Sequence, residues 1–214
     1  MRMRPIPFMP TVSEIGAREA GEIQGLEAVI SFWTEGACSA EDWMREVVES
    51  WGTAGFVKRR GDEVLGFVVY GPQRHLPRAG RYPVGPLGED AALLAYLEGD
   101  ARTCRHLLVR VMRDLKLRGF GGVEAVASDL GLPRHVSTRF LSESGWKPVC
   151  RGLYTGLPYT LMRADFGNIV EVGELARGLM GRVRLPVLKA PPVPQGNSVS
   201  VPVQARARAR ERRS

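Results

Sequence analysis

Cysteine is scarce in this 214-residue chain. The three present, Cys38, Cys104 and Cys150, are widely spaced and odd in number. That pattern excludes a disulfide framework and predicts reduced thiols, as in a cytoplasm. No CxxC pair occurs, and the three histidines (His75, His106 and His135) are never paired at metal-ligand spacing, so no structural metal site is expected. No apolar run approaches the roughly 18 residues a membrane span requires. The start, Met1-Arg2-Met3-Arg4-Pro5, is basic with no apolar stretch behind it, which argues against a secretory signal. With 44% hydrophobic and 25% charged residues, the chain reads as one soluble globular domain.

Acidic residues are nearly missing from the last segment. Residues 186–214 hold Lys189, Arg206, Arg208, Arg210, Arg212 and Arg213 against Glu211 alone, so five of the seven net positive charges lie there. The basic character therefore says little about the ligand of the domain that precedes it. The segment is Pro-rich, then polar, then Arg-Ala repeats, a composition that buries no core and predicts disorder. Arginines within 206–213 would give weak, salt-dependent contacts with nucleic acid. No interleaving of aromatic and basic residues marks a nucleic-acid platform on the domain itself.

Along the chain, residues 1–12 carry three prolines and read as an extended arm or a weak first strand. Residues 13–33 predict a helix, with Ile23, Leu26, Val29 and Ile30 on one face. Ser39 as N-cap and Asp42 three residues on open a second helix, with Trp43, Val47, Val48 and Trp51 at helical spacing and Gly52 ending it. Residues 54–58 and 64–70 predict a hairpin across residues 59–62. The Pro- and Gly-rich stretch 72–90 predicts a long loop of the kind that carries function. Residues 91–97 form a continuous apolar run and predict a strand buried on both faces. A helix over 102–118 follows, with Leu107, Leu108, Val111, Met112 and Leu115 as its stripe. A strand over 123–127, a short helix ending at Gly145, and strands over 146–149 and 160–164, with a Gly- and Tyr-containing loop at 151–159 between them, complete the domain. Residues 169–185 predict one further helix. The whole is an α/β domain over 13–168, a mixed and mostly antiparallel sheet flanked by helices.

This order resembles the GCN5-related N-acetyltransferase (GNAT) superfamily over roughly residues 20–166. The resemblance rests on the strand, loop, Leu107-Leu108 helix and strand between Ala91 and Ala127, on Phe140-Leu141-Ser142-Glu143-Ser144-Gly145-Trp146, which looks like the family's F-x-x-x-x-G-F helix end, and on the closing Tyr159-Thr160-Leu161-Met162-Arg163-Ala164. With Ser31-Phe32-Trp33 upstream, it is similar to a bacterial subgroup with a Cys- and Trp-containing N-terminal segment. The resemblance implies a GNAT fold, acetyl-CoA as acyl donor and an amine, small-molecule or peptide, as acceptor, in a monomer or homodimer.

It also implies a cofactor site made of Tyr96, Leu97, Arg102, Thr103, Cys104, Arg105 and His106. The family's phosphate loop reads Q/R-x-x-G-x-G/A, and here those places hold Gly99, Arg102 and Cys104. Arg102 either obstructs the close backbone approach that glycine permits or replaces it with guanidinium contacts to phosphate, helped by Arg105. A helix N-terminus can lower a thiol pKa, but neither a base nor an oxyanion site is visible for Cys104, which reads as a small loop residue. The residue four before Gly145, where the family commonly has a tyrosine acid, is Leu141. Glu98 and Glu124 are the general-base candidates, and Tyr154 and Tyr159, with Tyr96, the candidates for lining the acceptor site. A single histidine on the helix, His106, reads as a surface or capping residue. Two alternatives stand beside the enzyme: a GNAT-fold domain that binds without catalysis, and a nucleic-acid-associated protein acting through its tail.

Overall fold

The computed structural model describes residues 9–166. The expected helix at 169–185 and the tail at 186–214 lie outside the described residues, as does most of the arm at 1–12.

Seven strands form one sheet in the order β1-β2-β3-β4-β5-β7-β6. They are β1 Thr11–Glu14, β2 Gly55–Arg60, β3 Glu63–Gly71, β4 Ala91–Gly99, β5 Gly122–Ser128, β6 Lys147–Tyr154 and β7 Leu157–Asp165. Every neighbouring pair is antiparallel except β4–β5. A parallel pair needs a crossover, and α4, Ala101–Leu117, supplies it.

Helices cover both faces. On one, α1 Ala17–Ala20, α2 Leu26–Trp33 and α3 Ala40–Ser50 bury Ile30, Trp33, Trp43 and Met44 against Val57, Phe67, Val69 and Leu93. On the other, α4 and α5, Thr138–Glu143, bury Leu107, Leu108, Val111 and Leu141 against Phe56, Val68, Leu94 and Ala125. The α4 stripe faces the sheet as its spacing predicts, and Gly119, at φ 84°, follows the helix end. Arg118 fastens that end: its guanidinium donates to the Thr53 and Trp51 carbonyls and lies 3.7 Å from the Trp51 ring centroid.

Two expectations are corrected. The single helix over 13–33 is the end of β1 followed by two short helices, because Gly16, Gly21 and Gly25 interrupt the run and Gly25 turns through φ 87°. The loop over 151–159 is a hairpin with Thr155 and Gly156 at its tip, both at positive φ. The 72–90 stretch is the loop expected, and it packs onto the first core. Two 3₁₀ turns, Gln73–His75 and Pro77–Arg81, bury Leu76, Ala79, Tyr82 and Val84 in the first core. A Cβ on Gly152 would stand 2.1 Å from the Pro83 carbonyl oxygen, so only glycine in β6 lets this loop lie down.

Candidate functional site at the divergence of β4 and β5

The parallel pair β4–β5 is short. Ala91, Ala92 and Leu93 pair with Gly122, Val123 and Glu124, and pairing stops there. Both strands continue: β4 stays on β3 through Gly99, and β5 stays on β7 through Ser128. Beyond Leu93 the facing edges of β4 and β5 therefore part into a cleft. A bulge on β4 helps re-aim it: Val69 pairs with Tyr96 and Tyr70 with Leu94, which leaves Ala95 without a partner on β3. Backbone groups on this stretch of β4 are available to a ligand that runs along the strand.

Side chains at the cleft follow the pleat. Tyr96 packs with the first core and Leu97 with the second. Glu98 is exposed at the strand end, and its carboxylate reaches toward the turn at Gly25, where an added Cβ would lie 3.8 Å from Oε2. Burial and the Glu98 charge push the Tyr96 phenol up to about 12, so it keeps its proton at neutral pH.

At the cleft's open end the chain turns at Gly99, φ 133°, into α4. Asp100 is the N-cap, and its Oδ1 accepts from the Thr103 N–H at 2.6 Å. The Thr103 backbone and side chain hold this carboxyl below the usual range. An anion of the chain's own thus sits on the first-turn amides, where a ligand phosphate would otherwise go. Cations surround it. Lys58, only 6% exposed, donates to Thr103 Oγ1 at 3.4 Å and to His106 Nδ1 at 3.0 Å. Burial lowers the pKa of both Lys58 and His106, which keeps the imidazole neutral as the acceptor. A groove of about 600 Å³ beside them is lined by Lys58, Arg60, Asp100, Arg102, Thr103 and His106. Arg102 is exposed and Arg105 half-buried on the same first turns.

The helix N-terminus does not lower the Cys104 thiol pKa. Cys104 is buried, its thiol donates to the Gly99 carbonyl at 3.3 Å, and burial together with Asp100 and Glu98 pushes it up to about 11. It fills space and does not attack.

The two candidate bases lie at opposite ends of the cleft. Glu124 sits in the paired register, 2% exposed, accepting from the Gly88 N–H at 3.0 Å and from Arg163 at 2.8 Å. Arg163 also holds Asp90 and Asp165. Glu98, at the open end, has no such commitment among the described ion pairs.

Across the mouth lies an aromatic group that sequence reasoning only half found. Tyr82, from the 72–90 loop, packs between Tyr154 and Tyr159 at centroid distances of 4.7 and 4.8 Å. Its hydroxyl is 2.7 Å from His135 Nε2, and His135 Nδ1 is 3.0 Å from the Pro133 carbonyl. The carbonyl can only accept, so Nδ1 carries the proton and Nε2 accepts from Tyr82. Burial lowers the His135 pKa and raises that of Tyr82. Tyr154 and Tyr159 thus pack with each other and with this pair (Tyr159 is buried), and Tyr96 stands on the far strand. Nothing local in the sequence marks His135. Its partner Tyr82 is 53 residues away and meets it only through the fold.

No protein-family model matches the chain, and no curated protein does either. Solved structures match it in shape. The protein yncA of Salmonella typhimurium, solved with its cofactor acetyl-CoA, superposes with TM-score 0.54 at 14% identity, over 75% of this chain and 95% of that one. A ribosomal-protein-alanine N-acetyltransferase from Brucella melitensis gives 0.52 at 15%, over 73% and 99%. A GCN5-related N-acetyltransferase from Kribbella flavida gives 0.51 at 14%, over 73% and 98%. The chain has the fold of the GNAT acetyltransferases.

Proposed function

We propose that the chain is an N-acetyltransferase that takes its acyl group from acetyl-CoA and passes it to an amine. The observation that carries this reading is the parting of β4 from β5 after Leu93, with the bulge at Ala95 and a helix N-terminus at its open end.

The residues present suit CoA unevenly. The free edge of β4 from Leu94 to Glu98 offers backbone partners to an extended amide-bearing arm, with Tyr96, Leu97 and Cys104 as its walls. At the phosphate end Asp100 has taken the Thr103 amide, so the holding groups there are side chains: Arg102 and Arg105, with Lys58, Thr103 and His106 behind them. When bound, acetyl-CoA supplies a thioester whose carbonyl carbon accepts the amine and whose sulfur leaves. Glu98 takes the proton that the amine sheds, being the carboxylate at the open end that no described ion pair holds. Tyr96 stands beside it as a protonated phenol and donates a hydrogen bond. Glu124 holds Arg163 and the loop at Gly88, a positioning duty at the closed end.

The Asp100 cap favours a second reading, a GNAT-fold domain that binds an acceptor-like ligand without catalysis. Calorimetric titration with acetyl-CoA, followed by thiol release with a panel of amines, decides between them. Micromolar binding with turnover is expected. Absence of both heat and thermal stabilisation at millimolar acetyl-CoA sinks the transferase reading.

A further inference from the structure

Two arginines converge on one ring at the mouth of the cleft. Arg78, in the 3₁₀ turn Pro77–Arg81, holds its guanidinium carbon 4.0 Å from the Phe32 centroid. Arg134, in the loop between β5 and α5, holds its own 5.5 Å from the same centroid. Arg134 has φ 65°, a left-handed backbone that a non-glycine residue adopts at a cost. Other arginines are neutralised: Arg81 by Glu35, Arg139 by Glu143 and Arg151 by Asp129. Among the described ion pairs neither Arg78 nor Arg134 has a carboxylate. Arg78 Nε is buried without a hydrogen-bond partner, while the same guanidinium meets the Tyr82 hydroxyl. Two like charges over one ring repel, and an anion held by both guanidinium groups would relieve that repulsion.

The place is the acceptor's side. His135, edge-on to Phe32 at 5.3 Å, is neutral and therefore adds no charge and no competing anion. Arg134 lies in the loop that leaves the far end of β5, and Glu98 lies at the far end of β4, so both stand on the side where the two strands part. We propose that the acceptor is an amine that also carries a carboxylate, held by Arg78 and Arg134 over Phe32 while its nitrogen faces Glu98. This rests on the transferase reading for what happens to the amine, but not for the binding of the carboxylate.

The test is direct binding, which needs no turnover. Calorimetry would compare L-phenylalanine with L-phenylalaninamide, and an amidated peptide bearing glutamate at its second position with its glutamine counterpart. At least one carboxylate member is expected to bind tenfold or more tightly than its neutral partner. Arg134→Met, at an exposed position, should remove that preference while leaving the neutral partner and acetyl-CoA unchanged. Arg78→Lys, which keeps charge but not the fork, should weaken it severalfold. Equal affinities within both pairs, or loss of neutral and charged ligands alike in Arg134→Met, would overturn the proposal. Carboxylate preference without any acetyl-CoA binding would leave it standing and remove the transferase. Acetyl-CoA binding with no preference would do the reverse.

Discussion

Replacing Glu124 with glutamine separates a buried ion-pair anchor from a catalytic base. The side chain is 2% exposed and makes two contacts, to the Gly88 N–H and to Arg163. Glutamine keeps the shape and a carbonyl for Gly88, and loses one charge-assisted hydrogen bond, worth about 1.5–3 kcal/mol. The full penalty of a broken buried pair, about 3–5 kcal/mol, does not apply. Arg163 keeps Asp90 and Asp165 and is not left uncompensated. The lower end, about 1.5–2 kcal/mol, is therefore expected. For a chain of this size that corresponds to a fall in Tm of roughly 3–8 °C. Urea and thermal unfolding read this directly. If Glu124 is only an anchor, kcat for any acceptor found changes by less than about twofold once the protein is folded. A drop in kcat of about a hundredfold or more, with Tm within a degree of the parent, would refute the assignment.

Glu98→Gln should show the mirror image, with kcat lowered about 10²–10⁴-fold and Tm barely moved, measured by thiol release and differential scanning fluorimetry. Asp100→Ser keeps a capping oxygen and removes the anion, so acetyl-CoA affinity by calorimetry should tighten severalfold with the helix intact. Gly152→Ala drives a methyl into the Pro83 carbonyl and should cost about 1–3 kcal/mol in urea unfolding. His135 binds its proton less readily in the folded chain than at the ordinary value of 6.5. Its contribution to stability is thus full above about pH 6.5 and drains as pH falls from there toward the folded pKa. His135→Gln should flatten the Tm profile between pH 7 and 5.

The periodic elements were legible because burial dictates them. The α4 stripe, the Ser39–Asp42 start of α3 and the two-faced apolar run of β4 each follow from packing that a sequence window contains. The first helix was misread because its apolar spacing outweighed three glycines whose effect on the backbone decides the matter. The hairpin at 151–159 was misread because Gly and Tyr suggested a loop, whereas Gly152 is there to receive Pro83 from a loop about 70 residues earlier. Long-range facts of this kind leave no local pattern. The same holds for His135 and Tyr82, and for Arg78 and Arg134, which share a ring supplied by α2.

The cofactor loop shows how a local rule and a functional site compete for the same atoms. Asp100 is an ideal N-cap, and Gly99-Asp100 before a long amphipathic helix is a sequence signature of one. The Q/R-x-x-G-x-G/A pattern registers the missing glycines and is blind to the aspartate. Yet the aspartate matters more than Arg102, since it places a carboxylate on the donors a phosphate would use, while Arg102 lies exposed beside them. An anionic ligand at this end must therefore draw on Lys58, Arg102 and Arg105 and share the turn with Asp100. Its affinity should fall steeply with salt, because exposed guanidinium contacts are screened where buried amide contacts are not.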